Sequence, residues 1–194
     1  MLKNQLRPAI VVTLVLILIT GIIYPGLVTG VAQLLFPRQA NGSLITVNGQ
    51  VIGSELIAQQ FARADYFHPR PSAAGAGYDD TLSGGSNKGP TDSKLADTLI
   101  AQAVDSAVRL DGAVKGAVPA DLATRSGSGL DPHISPASAL LQVARVARAR
   151  GLDSTIVRAL VNRHIEGRTL GLLGEPRVNV LLLNLALDSL KRTP

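Results

Sequence analysis

The sequence contains no cysteine and no tryptophan, and only 3% of its 194 residues are aromatic. The lack of cysteine excludes a disulfide scaffold, a zinc ribbon and a cysteine nucleophile, without assigning a compartment. The shortage of aromatics leaves little to stack on nucleic-acid bases, and no nucleic-acid-binding module is visible. Charge is scarce as well: 17% of residues are Asp, Glu, Lys or Arg, against roughly 25% in an ordinary soluble domain. The three histidines, His68, His133 and His164, are far apart and lack the H-x-x-x-H or H-E-x-x-H spacing of a metal site, so no metal is expected. What the chain has in excess is apolar residues, at 46%, with a formal net charge of +5.

The apolar excess is concentrated near the N-terminus. No charged residue occurs between Arg7 and Arg38, and Ile10 to Ile19 is almost unbroken Ile, Val and Leu. A helix of about 20 apolar residues crosses a bilayer core, and only a helix or closed barrel satisfies its backbone there. Residues 8–37 are therefore expected to form one transmembrane helix. Lys3 and Arg7 precede it and only Arg38 follows closely, which places residues 1–7 in the cytoplasm and residues 38–194 outside it. Gly30-Val31-Ala32 resembles a signal-peptidase site, but the apolar run continues through Leu34, Leu35 and Phe36, longer than a signal peptide requires. Tyr24-Pro25-Gly26 should kink the helix, and Gly26 and Gly30 form a G-x-x-x-G on which a second helix can pack.

Beyond the span the charge is uneven. Residues 38–141 carry eight basic against ten acidic residues; residues 142–194 carry nine against four. Asn48-Gly49 between Ser43–Val47 and Gln50–Ile52 predicts a hairpin. Glu55 to Ala64 reads as a short helix with Leu56, Ile57, Gln60 and Phe61 on one side. His68 to Thr91, rich in proline and glycine, has the composition of a linker, though loops of that length are functional when ordered. Helices are expected from Asp92 or Ser93 to Leu110, from Pro136 to Arg150, and from Asp153 or Ser154 to about Glu166. A short turn or helix opens at Pro119. Val178 to Leu190, apolar nearly all round, reads as a buried helix. The expected fold class is α+β: one N-terminal transmembrane helix plus a mainly helical extracytoplasmic domain with a few short strands.

Few residues suggest chemistry. Gly84-Gly85-Ser86-Asn87-Lys88-Gly89 has the composition of a phosphate cradle but not the G-x-x-x-x-G-K-[ST] spacing. Ser126, Ser128, Asp131 and His133 contain the ingredients of a serine hydrolase, here one tethered outside the membrane with Ser128 and His133 as its pair. Neither serine sits in a G-x-S-x-G elbow. Gln142, Arg145 and Arg148 form a polar ridge on the helix after Pro136; its plainest reading is a solvated face, and its alternative an anion or acidic-partner site.

Eight segments in order carry a resemblance: Thr20-Gly-Ile-Ile-Tyr-Pro25, Gln33-x-x-Phe-Pro37, Gly42-Ser-Leu-Ile45, Tyr66-Phe-x-x-Arg-Pro-Ser-Ala73, Ser83-Gly-Gly-Ser-Asn-x-Gly-Pro90, Ser126-Gly-Ser-Gly-Leu-Asp-Pro-His-Ile-Ser135, Gln142-x-x-Arg-Val-Ala147 and Leu173-Gly-Glu-Pro-Arg-Val-Asn-Val180. Together they resemble the C subunit of the bacterial Kdp-type potassium-transporting P-type ATPase. Asp79-Asp80 and Lys88 are mild departures from that pattern. The resemblance implies an accessory, non-catalytic subunit of a high-affinity potassium pump of the inner membrane. Its partners would be a channel-like potassium-translocating subunit, a P-type ATP-hydrolysing subunit, a small single-span subunit and the lipid bilayer. The family is described as a catalytic chaperone that raises the pump's affinity for ATP, and Gln142, with Arg145, matches the segment proposed to touch the nucleotide. ATP would be met only through the complex, and potassium would be carried by a partner. The sequence itself lacks a phosphorylation motif, a potassium filter and a P-loop. The kink and the G-x-x-x-G make Tyr24, Pro25, Gly26 and Gly30 the expected packing residues of the span against other membrane helices. Partner docking is expected at Arg70, Pro71, Ser72, Gly84, Gly85, Ser86 and Asn87 of one loop and Ser128, Gly129, Asp131 and His133 of the other.

Overall fold

The computed structural model describes residues 2–190. They divide into two compact units, one reaching Ile52 and the other starting at Gly53. The first unit is dominated by a continuous helix. It comprises α1 (Leu2–Leu18), a π-helical turn (Ile19–Ile23) and α2 (Tyr24–Leu35). Its stretch Asn4–Leu35, in which an 18-residue window reaches a mean hydropathy of 2.5 with none of it buried, is long and apolar enough to cross a membrane. Pro25 leaves its mark as the π turn just before it, where the Tyr24 N–H donates to Ile19 O, five residues back. The wider turn makes room for a proline ring that would otherwise press on the preceding carbonyl. Thr20 Oγ1 donates to Leu16 O at 2.7 Å. Beyond the short α3 (Pro37–Ala40) come β1 (Leu44–Val47) and β2 (Gln50–Ser54), which pair as a hairpin. Asn48 and Gly49 both adopt positive φ, 52° and 79°, as a two-residue turn between twisted strands requires.

The second unit is built on two long helices, α6 (Pro136–Arg150) and α8 (Val180–Leu190), with α7 (Ser154–Arg163) against both. A small antiparallel sheet of β3 (His133–Ile134), β5 (Arg177–Asn179) and β4 (Ile165–Glu166) runs in that order, with Val178 opposite both Ile134 and Ile165. The core gathers Phe67, Ile134, Val143, Val146, Val157, Val161, Val178, Leu183 and Leu187. A π-helical segment (Lys94–Ile100) leads into α4 (Ala101–Asp111), and α5 (Ala120–Ala123) is one turn.

The α+β class holds, and the helix from Pro136 to Arg150 forms with the expected bounds. Ser135 Oγ accepts from the Ser138 N–H at 3.1 Å and donates to Asp121 Oδ1 at 3.0 Å, while Gly151 closes the helix in the left-handed region. Ser135→Ala is expected to cost about 1–2 kcal/mol in denaturant unfolding, since it removes both the cap and an Asp121 contact.

Three expectations need correction. The helix over 92–110 begins as the π segment. The helix expected to run to Glu166 stops at Arg163, because Ile165 and Glu166 pair with β5 instead. Residues 177–179 form the central strand β5, so the last helix starts at Val180. A fourth correction, at residues 55–64, bears on the site.

Candidate functional site

Residues 55–68 form neither helix nor strand. Their backbone groups still need partners, and buried side chains provide them. Asn184 accepts from the Phe67 N–H at 2.8 Å and donates to Phe67 O at 2.9 Å. Gln142 does the same for His68, accepting from its N–H at 2.7 Å and donating to its carbonyl at 3.1 Å. Each amide thus imitates a neighbouring strand. Arg145 Nη1 donates to Ala64 O and Tyr66 O at 2.7 and 2.8 Å. Its Nε donates to Asp111 Oδ1 at 2.6 Å and its Nη2 to Gln142 Oε1 at 2.7 Å. Arg150 Nε donates to Asp65 O at 2.6 Å and its Nη1 to Asp188 Oδ1 at 2.8 Å. The Arg150 guanidinium lies 4.7 Å from the Tyr66 ring centre, and the Tyr66 hydroxyl donates to Asp188 Oδ2 at 2.9 Å.

This latch explains the missing helix. The amphipathic pattern of residues 55–64 is overridden by four buried side chains that hold the chain extended further on. Asn179 Nδ2 also donates to Glu55 O at 2.7 Å, and the Ala58 N–H to Leu130 O at 2.9 Å. The polar ridge of α6 is likewise no solvated face: Gln142 is 1% and Arg145 7% exposed, and only Arg148 faces solvent.

Burial around the latch pushes the His68 pKa below its ordinary value, with a smaller contribution from the positive charge of Arg145. A histidine that prefers to be neutral when folded binds fewer protons than its unfolded counterpart. Its contribution to stability is therefore present above about pH 6.5 and lost as the pH falls toward the depressed folded value. Melting temperature is expected to drop more steeply between pH 7 and 5 in the natural chain than in His68→Gln; equal slopes would contradict this.

The two glycine-rich loops are ordered and knitted together. Ser72 Oγ donates to Gly129 O at 2.6 Å, Ser83 Oγ to Ser128 O at 3.0 Å, and the Gly84 N–H to Ser128 O at 2.8 Å. Arg70 Nη1 pairs with Asp131 Oδ2 at 3.1 Å, and its Nη2 donates to Arg125 O at 3.3 Å. The Asp131 pKa stays below the usual carboxylate range: burial opposes this, but hydrogen bonds from His133 and Arg70 outweigh it. The Tyr78 hydroxyl donates to Arg70 O at 2.7 Å, and burial raises its pKa to about 12. The linker composition of residues 68–91 therefore encodes a fixed surface. Pro71 lines the neighbouring cleft, Ser86 is half-buried and Asn87 is exposed.

Beside these loops is a cleft of about 340 Å³, walled by Phe61, Pro69, Tyr78, Leu99 and Leu122 and floored by Gln142. Arg125 and, from α4, Gln102 and Ser106 also line it. The serine-hydrolase arrangement does not come together: Ser128 Oγ accepts from the Leu130 N–H, and the His133 Nδ1 contact is to Asp131 Oδ1 at 3.6 Å. Among the described residues, no Ser128–His133 hydrogen bond forms. Tyr24, Pro25, Gly26 and Gly30 lie exposed on the apolar helix, with open space at both glycines.

The sequence matches the family described as K+-transporting ATPase, c chain, over residues 6–189. The chain belongs to this family. Curated relatives named "Potassium-transporting ATPase KdpC subunit" include one from Gemmatimonas aurantiaca, 67% identical across 99% of this chain and 96% of its own length. Another, from Rhodospirillum rubrum, is 58% identical across 95% of each chain. A third, from Koribacter versatilis, is 51% identical across all of this chain and 98% of its own. The family resemblance is thus sustained along the whole chain, and the protein is a subunit of a potassium-transporting ATPase.

Several members of the latch are not visible as site residues in a KdpC-like sequence: Asp111, Arg150, Asn184 and Asp188. The available signal was polarity out of place. Asn184 and Asp188 interrupt an otherwise leucine-rich helix one turn apart.

Proposed function

We propose that the chain is a non-catalytic accessory subunit that holds the potassium pump together from outside the cytoplasm. The apolar helix anchors it in the inner membrane with its N-terminus cytoplasmic, packing through Tyr24, Pro25, Gly26 and Gly30. The knitted loops dock onto partner subunits: the channel-like potassium carrier, the ATP-hydrolysing P-type subunit and the small single-span subunit. The observation that carries this reading is the ordering of two glycine-rich loops by one another, centred on Ser72, Ser128 and Gly129. Order without enclosure suits a surface made to be recognised.

As a catalytic chaperone, the subunit would raise the ATP affinity of its partner. The engagement of the Gln142 amide with His68 and of the Arg145 guanidinium with Asp111 favours an indirect route for that effect. A nucleotide reaching either group would have to displace buried bonds of the latch.

Deletion of residues 83–90 is expected to dissociate the complex during purification; a fully assembled, active pump would overturn the docking reading. Arg148→Cys, at a solvent-facing position outside both docking loops in a chain with no cysteine of its own, tests orientation. It is expected to react with a membrane-impermeant maleimide added to the outer face, and labelling only from the cytoplasmic face would reverse the topology.

A further inference from the structure

The β4–β5 hairpin ends in three exposed leucines that the fold does not use. Leu170 is 87%, Leu172 79% and Leu173 63% exposed. The tip is nonetheless well defined. Thr169 and Leu173 form an antiparallel bridge, with the Thr169 N–H donating to Leu173 O at 2.8 Å and the Leu173 N–H to Thr169 O at 3.0 Å. Two ion pairs brace the hairpin: Arg168 Nη2 to both Glu175 oxygens at 2.8 Å, and Arg177 Nε to Glu166 Oε2 at 3.0 Å.

Leu170 is also held at a φ of 55°, where a leucine side chain is strained. Glycine or asparagine would make the same turn at lower cost. A strained backbone and three solvent-facing leucines are both unfavourable for the isolated domain. They are explained together if the tip is shaped for an occupant.

The charges indicate which occupant. Between Ile165 and Val178 the ionised side chains are Glu166, Arg168, Glu175 and Arg177, which cancel in pairs, and there is no aromatic residue. An anionic lipid surface is engaged by unpaired Lys and Arg with interfacial aromatics. A neutral, purely aliphatic tip on a braced stem complements an apolar socket in folded protein. We infer that Leu170, Leu172 and Leu173 plug an apolar socket on another subunit of the ATPase. This contact rests on the accessory-subunit reading above and adds an anchor of its own to the two glycine-rich loops.

The test uses the assembled complex in native membranes, with p-benzoylphenylalanine replacing Leu172 in one preparation and Asn87 in a second. Irradiation is expected to link position 172 to a protein subunit of the pump. An adduct with lipid alone, or no adduct, overturns the plug. An adduct from position 87 without one from 172 overturns the plug and leaves loop docking intact; the reverse overturns loop docking and supports the plug. Leu170→Gly separates fold from contact. The full-length subunit in detergent is expected to melt at the same temperature or higher, because the strain is relieved, while its retention by partners falls about tenfold. Unchanged retention overturns the proposal.

Discussion

Arg145→Met is expected to destabilise the second unit by about 3–5 kcal/mol, the range seen when one partner of a buried ion pair is removed. The substitution keeps most of the volume and removes every bond the guanidinium makes. Asp111, whose side chain is 7% exposed, loses its cation, the Ala64 and Tyr66 carbonyls lose their donor, and Gln142 loses a neighbour. Arg145→Lys is expected to recover only part of the loss, because one ammonium cannot reproduce a fork that reaches four acceptors. Thermal and urea denaturation of the full-length subunit in detergent measures both variants. A loss below about 1 kcal/mol for Arg145→Met would mean the latch is not what orders residues 55–68.

Gly129→Ala is expected to be the most damaging single-methyl change in the glycine-rich loops. Gly129 sits at a φ of 71°, and an added Cβ would lie 2.6 Å from both Ala74 N and Gly84 O. Those are backbone atoms, which cannot turn aside as a side-chain end can. The change therefore combines backbone strain with a clash at the point where the two loops meet, at a cost of at least about 2 kcal/mol. The pump is expected to lose this subunit on purification even where the subunit still folds. Gly127→Ala is the matched control: nothing lies within 4 Å of its added Cβ, and its assembly is expected to be nearly normal. Equal behaviour of the two variants would separate the loops' close approach from docking.

The chain's large-scale organisation is legible without coordinates. The apolar, charge-free run between Arg7 and Arg38 is legible as a long helix, and the caps at Ser135 and Gly151 bracket α6 because capping chemistry is local. Asn48-Gly49 specifies its hairpin for the same reason. The order of short motifs around the glycine-rich loops carries the family, although nothing in their composition distinguishes a fixed surface from a flexible linker.

Tertiary structure decided the rest, because the deciding partners are distant in sequence. Residues 55–64 have a helical pattern, yet the strap that follows them is held by Gln142, Arg145, Arg150 and Asn184, between 74 and 117 residues away for the bonds to Phe67 and His68. Gln142 and Arg145 look like a solvated ridge or an anion site on a helical wheel. They are buried because an irregular backbone passing over α6 needs its hydrogen bonds met, and no local pattern announces where such a backbone will pass. The sequence by itself determined a helix long and apolar enough to cross a membrane, a mainly helical domain and membership of a potassium-pump family. Only the packed fold decided that its most suggestive polar residues hold the chain in place, while three leucines remain exposed at a hairpin tip.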